Sequence, residues 1–236
     1  MHSKAILFIL IAALLSSCAP IAAVSPTETN TPLPTSTPAY PTATPLAEGL
    51  VIINNTPGQL VSGNLFGHGE VAVILASRGG YSRDEWNQYA RILADEGYTA
   101  LTIGSKDSEG ETVTYIRYAI LFLRKNGFKH IICIGASNGA SGCAYNAKEP
   151  EVERIVLITY HGSADLSKSA LPKLFIGSEL DKIYRPVSER EYERAADPKK
   201  IIIVPNTAET GPSLLETPGQ NLREQLLEFL RTSTGG

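Results

Sequence analysis

The five residues Gly135-Ala136-Ser137-Asn138-Gly139 have the spacing most able to support chemistry in this chain. Before them runs Ile131-Ile132-Cys133-Ile134, apolar, mostly β-branched and too short for a helix, so it reads as a buried strand. After them come small residues (Ala140, Ser141, Gly142, Cys143, Ala144) suited to the tightly packed start of a helix. A Gly-x-Ser-x-Gly turn in that setting is a nucleophile elbow, which holds the serine hydroxyl above the sheet on strained backbone. The glycines are needed because a side chain at either position would strike the neighbouring strand or helix. Serine is a weak nucleophile until a base takes its proton. The oxyanion of an attacked ester would need two donors: the Asn138 N–H, and Gly79 or Gly80 from the loop after Val71–Ala76.

The base has to come from few candidates, because the chain has four histidines. His2 belongs to an N-terminal apolar segment. His68 and His130 precede strands and so belong at the wrong end of the sheet. His161 follows the strand expected at Arg154–Thr159, on the side to which the elbow points. It reaches Ser137 if the Thr159-Tyr160-His161-Gly162 turn curls inward, and is otherwise a loop histidine without a catalytic role. Arg78 and Arg83 near the mouth would favour a carboxylate-bearing ligand if they are not simply solvated. There are no clustered metal ligands and no phosphate loop, so no metal or other cofactor is expected.

Positioning these groups requires one sizeable core, which 236 residues at 43% hydrophobic content can bury. A net charge of −3 gives no basic field, so nucleic acid is not an expected partner. At the N-terminus, Lys4 precedes an apolar run from Ala5 to Leu15, which is right for a signal-peptide core and short for a membrane span. It ends in Leu15-Ser16-Ser17-Cys18, which looks like a bacterial lipobox. Residues 1–18 are therefore expected to be a lipoprotein signal. Cys18 would be the acylated residue, anchoring an extracytoplasmic protein to the cell membrane. Ser25 to Pro45 is a Thr/Pro tract that cannot pack, so residues 19–48 read as a linker, able to span roughly 60 Å as polyproline II. Cys133 and Cys143 are expected to be buried free thiols, since a bridge between them would staple the elbow.

From residue 49 to 233 strands alternate with helices, which implies a mostly parallel sheet covered on both faces. Strands are expected at Leu50–Ile53, Gln59–Phe66, Val71–Ala76, Tyr98–Ile103, Ile131–Ile134, Arg154–Thr159, Lys173–Ile176 and Lys200–Val204. Helices are expected at Asp84–Glu96, Glu111–Lys125, from the elbow to Ala147, at Val187–Ala196 and at Gly219–Arg231.

Eight strands in this order with the elbow after the fifth resemble the α/β-hydrolase superfamily, in particular its small cap-less esterases and dienelactone-hydrolase-like members. The stretches that carry the resemblance are Val71-Ala-Val-Ile-Leu-Ala-Ser-Arg-Gly-Gly, Leu93-Ala-Asp-Glu-Gly-Tyr, Ile134-Gly-Ala-Ser-Asn-Gly and Leu174-Phe-Ile-Gly-Ser-Glu-Leu-Asp. The resemblance implies a three-layer α/β fold without a cap, and Asp181 as the acid that orients a histidine, with Glu179 and Asp165 as weaker alternatives. It departs from the family after the last strand, where Val204-Pro-Asn-Thr-Ala-Glu-Thr-Gly places Glu209 at the usual histidine position. Glu209 could accept a proton but offers no imidazole for the leaving group. The expected activity is cleavage of small or surface-borne esters through a Ser137 acyl-enzyme, in a chain assumed monomeric. The rival expectation is an impaired hydrolase that binds a ligand or a protein of the cell envelope.

Overall fold

The computed structural model describes residues 46–231. The expected signal segment, Cys18 and the Thr/Pro tract lie outside the described residues. Among those described, no helix is long and apolar enough to cross a membrane.

The chain begins with a hairpin of β1 (Gly49–Thr56) and β2 (Gln59–Phe66), with Gly58 at positive φ in the turn and a bulge between Ile52 and Asn54. β3 (Val71–Ala76) leads to a 3-10 turn at Arg83–Trp86 and then α1 (Asn87–Asp95). β4 (Thr99–Ile103) and α2 (Glu109–Lys125) follow. β5 (His130–Ala136) runs into α3 (Asn138–Tyr145), with Ser137 between them. β6 (Val152–Ile158), β7 (Lys173–Ser178), α4 (Arg185–Arg194), β8 (Lys199–Val204), a 3-10 turn at Pro212–Glu216 and α5 (Leu222–Arg231) complete it.

The eight strands lie in the order β1-β2-β4-β3-β5-β6-β7-β8, antiparallel through the hairpin and parallel from β4 onward. Period-two alternation divides each central strand between two cores. Ile131 and Cys133 of β5 pack with Ile116 and Ile120 of α2 and Ala140 of α3. Ile132 and Ile134 pack on the opposite face with Leu93 of α1 and Leu226 and Leu230 of α5. The segment between β6 and β7 is a short loop, and no cap domain is present among the described residues.

Several boundaries differ from the sequence reading for local reasons. The helix expected from Asp84 starts as a 3-10 turn because Ser82 caps it by accepting from the Asp84 N–H (3.2 Å). α4 begins two residues early, with Pro186 in its first turn, where a missing N–H costs nothing. The larger correction concerns the cysteines. Cys133 and Cys143, expected as free thiols, form a disulfide between β5 and α3. The elbow's sharp turn folds α3 back across the strand and brings their Cα atoms to 5.5 Å, inside the bridging range. Closing a loop with cysteines 10 positions apart stabilises the fold by about 3 kcal/mol on chain-entropy grounds. Replacing both cysteines with alanine should therefore lower the melting temperature by about 6–12 °C; an unchanged melt would show that the bond does not constrain the unfolded chain.

Lys173, the first residue of β7, is completely buried. Its ammonium donates to the Ser169 carbonyl at 2.7 Å and to that of Leu171. Burial lowers its pKa from 10.5 to about 8, with Asp197 pulling the other way. Between about pH 8 and about pH 10 the unfolded chain holds a proton that the folded chain has released, so this lysine makes stability rise with pH. Urea unfolding at the two ends of that window should show the rise in the wild type and a flatter profile in Lys173→Met.

Candidate active site

Ser137 sits at φ 53° and ψ −118°, between β5 and α3. This strained conformation is affordable only because its surroundings over-determine it. The Ser137 N–H donates to the Ile158 carbonyl of β6 at 2.9 Å, and its own carbonyl accepts from the Ser141 N–H at 3.0 Å. Space is the other constraint. A Cβ on Gly135 would fall on the Gly139 carbonyl and 2.6 Å from the Ala140 nitrogen. A Cβ on Gly139 would fall on the Ala76 carbonyl and 2.7 Å from that of Ser77.

His161 reaches this serine. Its Nε2 lies 3.0 Å from Ser137 Oγ, within hydrogen-bond reach of a nucleophile and its base. Two features of the preceding residues curl the turn inward. Thr159 takes a positive φ of 50° immediately after β6, and its N–H donates to Ile176 of β7 at 2.8 Å. Tyr160 is fully buried against Phe175, ring centroids 5.9 Å apart. Its hydroxyl accepts from the Ala164 N–H at 3.1 Å, and its carbonyl accepts from Ser188 Oγ of α4 at 2.6 Å. Burial raises the Tyr160 pKa well above the usual phenol range, so the hydroxyl stays protonated. With Tyr160 fixed in the core, the next side chain faces the elbow.

The carboxylates are placed differently. Asp181 Oδ1 accepts from the N–H groups of Ile183 (3.0 Å) and Tyr184 (2.9 Å), and among the described residues no carboxylate pairs with His161. Glu209 is exposed. Its carboxylate accepts from Ser213 Oγ at 2.9 Å, and its backbone carbonyl accepts from Ser178 Oγ. Glu179 accepts from the Asn206 N–H at 2.8 Å. Asp165 is exposed, its carboxyl held below the ordinary range by Ser167. Of the candidate bases and acids, His161 alone is brought to Ser137.

The two arginines also have partners within the protein, and that of Arg78 is a carboxylate. Arg78 pairs through Nε with Glu85 (3.1 Å), lies 3.9 Å above the Tyr81 ring and donates to Thr210 Oγ1 (3.3 Å). Arg83 donates to Asn64 Oδ1 (2.9 Å) and Ser62 Oγ (3.0 Å). The Arg78 pair also narrows the choice of oxyanion donor in the β3 loop, since the Arg78 N–H is occupied by Glu85 at 2.9 Å. Of the glycines that follow, Gly79 faces the elbow: a Cβ there would come 2.7 Å from Asn138 Nδ2. A Cβ on Gly80 would instead come 2.6 Å from Asp107 Oδ1. The Asn138 side chain donates to the carbonyls of Lys106 and Asp107, both at 3.0 Å, tying the loop after β4 to the elbow. Among the described residues no group of three His, Cys, Asp or Glu is placed to hold a metal ion.

Sequence reasoning missed one neighbour of the site. The Tyr184 ring lies against the His161 ring, centroids 5.1 Å apart and planes tilted by 37°. No short motif marks it, because it depends on how the loop after β7 folds beside the loop after β6.

No protein-family model and no curated protein sequence matches the chain. Similar solved structures include a dienelactone hydrolase from Anabaena variabilis ATCC 29413, at 22% identity and TM-score 0.63, covering 78% of this chain and 95% of that one. Est1E from Butyrivibrio proteoclasticus is 13% identical with TM-score 0.62, covering 78% and 100%. A serine hydrolase involved in carbazole degradation, the CarC enzyme, is 14% identical with TM-score 0.63, covering 78% and 99%. At these identities the likeness is one of architecture, and it agrees with the strand order and the elbow: the chain has the α/β-hydrolase fold.

Proposed function

We propose that the protein is a serine hydrolase that cleaves carboxylic esters. Ser137 Oγ attacks the ester carbonyl while His161 Nε2 takes its proton, and the N–H groups of Asn138 and Gly79 hold the oxyanion. Collapse of that intermediate expels the alcohol, which receives the proton from His161, and leaves an acyl-serine. Water, deprotonated by the same histidine, then releases the acid and restores the hydroxyl. The observation that carries this reading is the 3.0 Å approach of His161 Nε2 to Ser137 Oγ at the elbow.

Exposed Tyr81, Leu180 and Ile183, on the loops after β3 and β7, favour an ester with apolar parts, and the open site favours one presented at a surface. An extracytoplasmic home, anchored through Cys18, is supported by the apolar N-terminal segment and by a disulfide, which persists in oxidising compartments.

The test is intact-mass detection of fluorophosphonate labelling on the full chain in detergent. Labelling that is present in the wild type and absent in Ser137→Ala is the expected result. A folded chain that takes no label would overturn the esterase reading and leave a binding lipoprotein that retains the fold.

A further inference from the structure

In the α/β-hydrolase resemblance Asp181 is the acid expected to hydrogen-bond the histidine. Here its carboxylate is otherwise engaged. Asp181 Oδ1 takes the N–H groups of residues two and three further on, Ile183 and Tyr184, and so shapes the turn that enters α4. Two more bonds fix that turn. Arg185 Nη1 donates to the Glu179 carbonyl at 3.0 Å, and the Ser188 N–H donates to the Tyr184 carbonyl at 2.9 Å. Ser188 also uses its hydroxyl to grip Tyr160, the residue immediately before His161. The Tyr184 ring is thereby carried to the imidazole at a centroid distance within the range of favourable aromatic pairs.

An imidazole that accepts the serine proton must keep Nε2 aimed at Oγ, and it needs something to stop the ring from turning about its side-chain torsions. A carboxylate on Nδ1 usually does this. We infer that in this protein Asp181 positions His161 indirectly, by fixing the turn that lays Tyr184 against the imidazole face. The ring contact then supplies the orientation that a carboxylate would otherwise give. The inference rests on His161 being the base, and it assigns Tyr184 and Asp181 as positioning residues that act through the imidazole.

The two roles open to Asp181 make opposite forecasts for one conservative change. Asparagine keeps the Oδ1 acceptor that the turn needs and loses the negative charge. Asp181→Asn should therefore leave fluorophosphonate labelling and ester turnover within about an order of magnitude of wild type. A carboxylate hydrogen-bonded to the histidine would instead make the same change cost about 10⁴-fold. Tyr184→Phe keeps the ring and should keep the rate, whereas Tyr184→Ala frees the imidazole and should cost about 10²-fold, the scale of a 1 Å misplacement. Asp181→Ala should match Tyr184→Ala, and the double variant should lose no more than either alone, because the two act through one contact. The loss should fall on kcat and not on KM.

A readout independent of turnover separates this inference from the esterase reading. The His161 ring protons, followed by NMR in the full chain, should shift in Tyr184→Ala and Asp181→Ala and stay in place in Asp181→Asn. A 10⁴-fold loss in Asp181→Asn, or an unshifted and fully active Tyr184→Ala, overturns the inference while leaving a labelled Ser137 intact. A wild type that takes no label removes the base on which it rests and overturns both.

Discussion

Ester turnover in His161→Ala should fall at least about 10²-fold and at most about 10⁶-fold, while Glu209→Gln should leave it unchanged. The limits follow from what a complete triad loses. Removing its histidine costs about 10⁶-fold in turnover, and removing its acid alone costs about 10⁴-fold. A serine–histidine pair that gained nothing in place of the acid would already lack most of that second factor, leaving about 10²-fold to lose. The more completely Tyr184 substitutes for a carboxylate, the closer the loss comes to the upper limit. Glu209 is excluded from the estimate on geometry, since its carboxylate is hydrogen-bonded to Ser213. Initial rates on a p-nitrophenyl ester, corrected for the Ser137→Ala background, measure both variants. Equal losses in His161→Ala and Glu209→Gln would mean that the 3.0 Å approach is not the working contact.

Gly139→Ala should be strongly damaging, and Gly142→Ala should be mild although the two glycines lie one helical turn apart. The difference is in what the methyl meets. At Gly139 the obstacles are the backbone carbonyls of Ala76 and Ser77, which are held in β3 and its exit and cannot swing away. Relief requires α3 to shift from the sheet, at a cost of about 1–3 kcal/mol or more, and with it the strained backbone of Ser137. Activity should fall by about 10²-fold even where the chain still folds. At Gly142 the nearest atom is Cδ1 of Ile116, the tip of a flexible side chain, and the next contacts are at 3.4 Å. There a rotamer change gives way, and alanine recovers about 0.5–1 kcal/mol of helix propensity. Melting temperature and labelling rate, measured on both variants, separate the two cases. Comparable damage at both positions would show that side-chain packing, and not the β3 backbone, sets the limit.

How much of this was legible beforehand depends on how local each determinant is. The elbow was readable because its glycines, its serine and the apolar strand before it are contiguous. The order of strands was readable because the buried strands are apolar runs and the helices show apolar spacing with a stop in sequence, as Gly127 provides after α2. The position of His161 at the carboxyl end of β6 could be deduced, but its direction could not. That depends on Thr159 adopting positive φ and on Tyr160 finding Phe175 and Ser188, which are far away in the chain. The disulfide was misread because a bridge between Cys133 and Cys143 would staple the elbow, whereas the elbow's own angle brings the two together. Asp181 follows β7, as its context implied. Its side chain's actual partners, two amides further along the same loop, are a property of the turn and not of the residue type.

Ser137 and His161 hang from neighbouring strands, β5 and β6, and are separated by 24 positions. The pair is thus assembled by a single βαβ unit, without waiting for the last strand to dock. With Ser137 and His161 as the proposed catalytic pair, the loop after β8 has no imidazole to supply, and substitutions or insertions there should come at little catalytic cost.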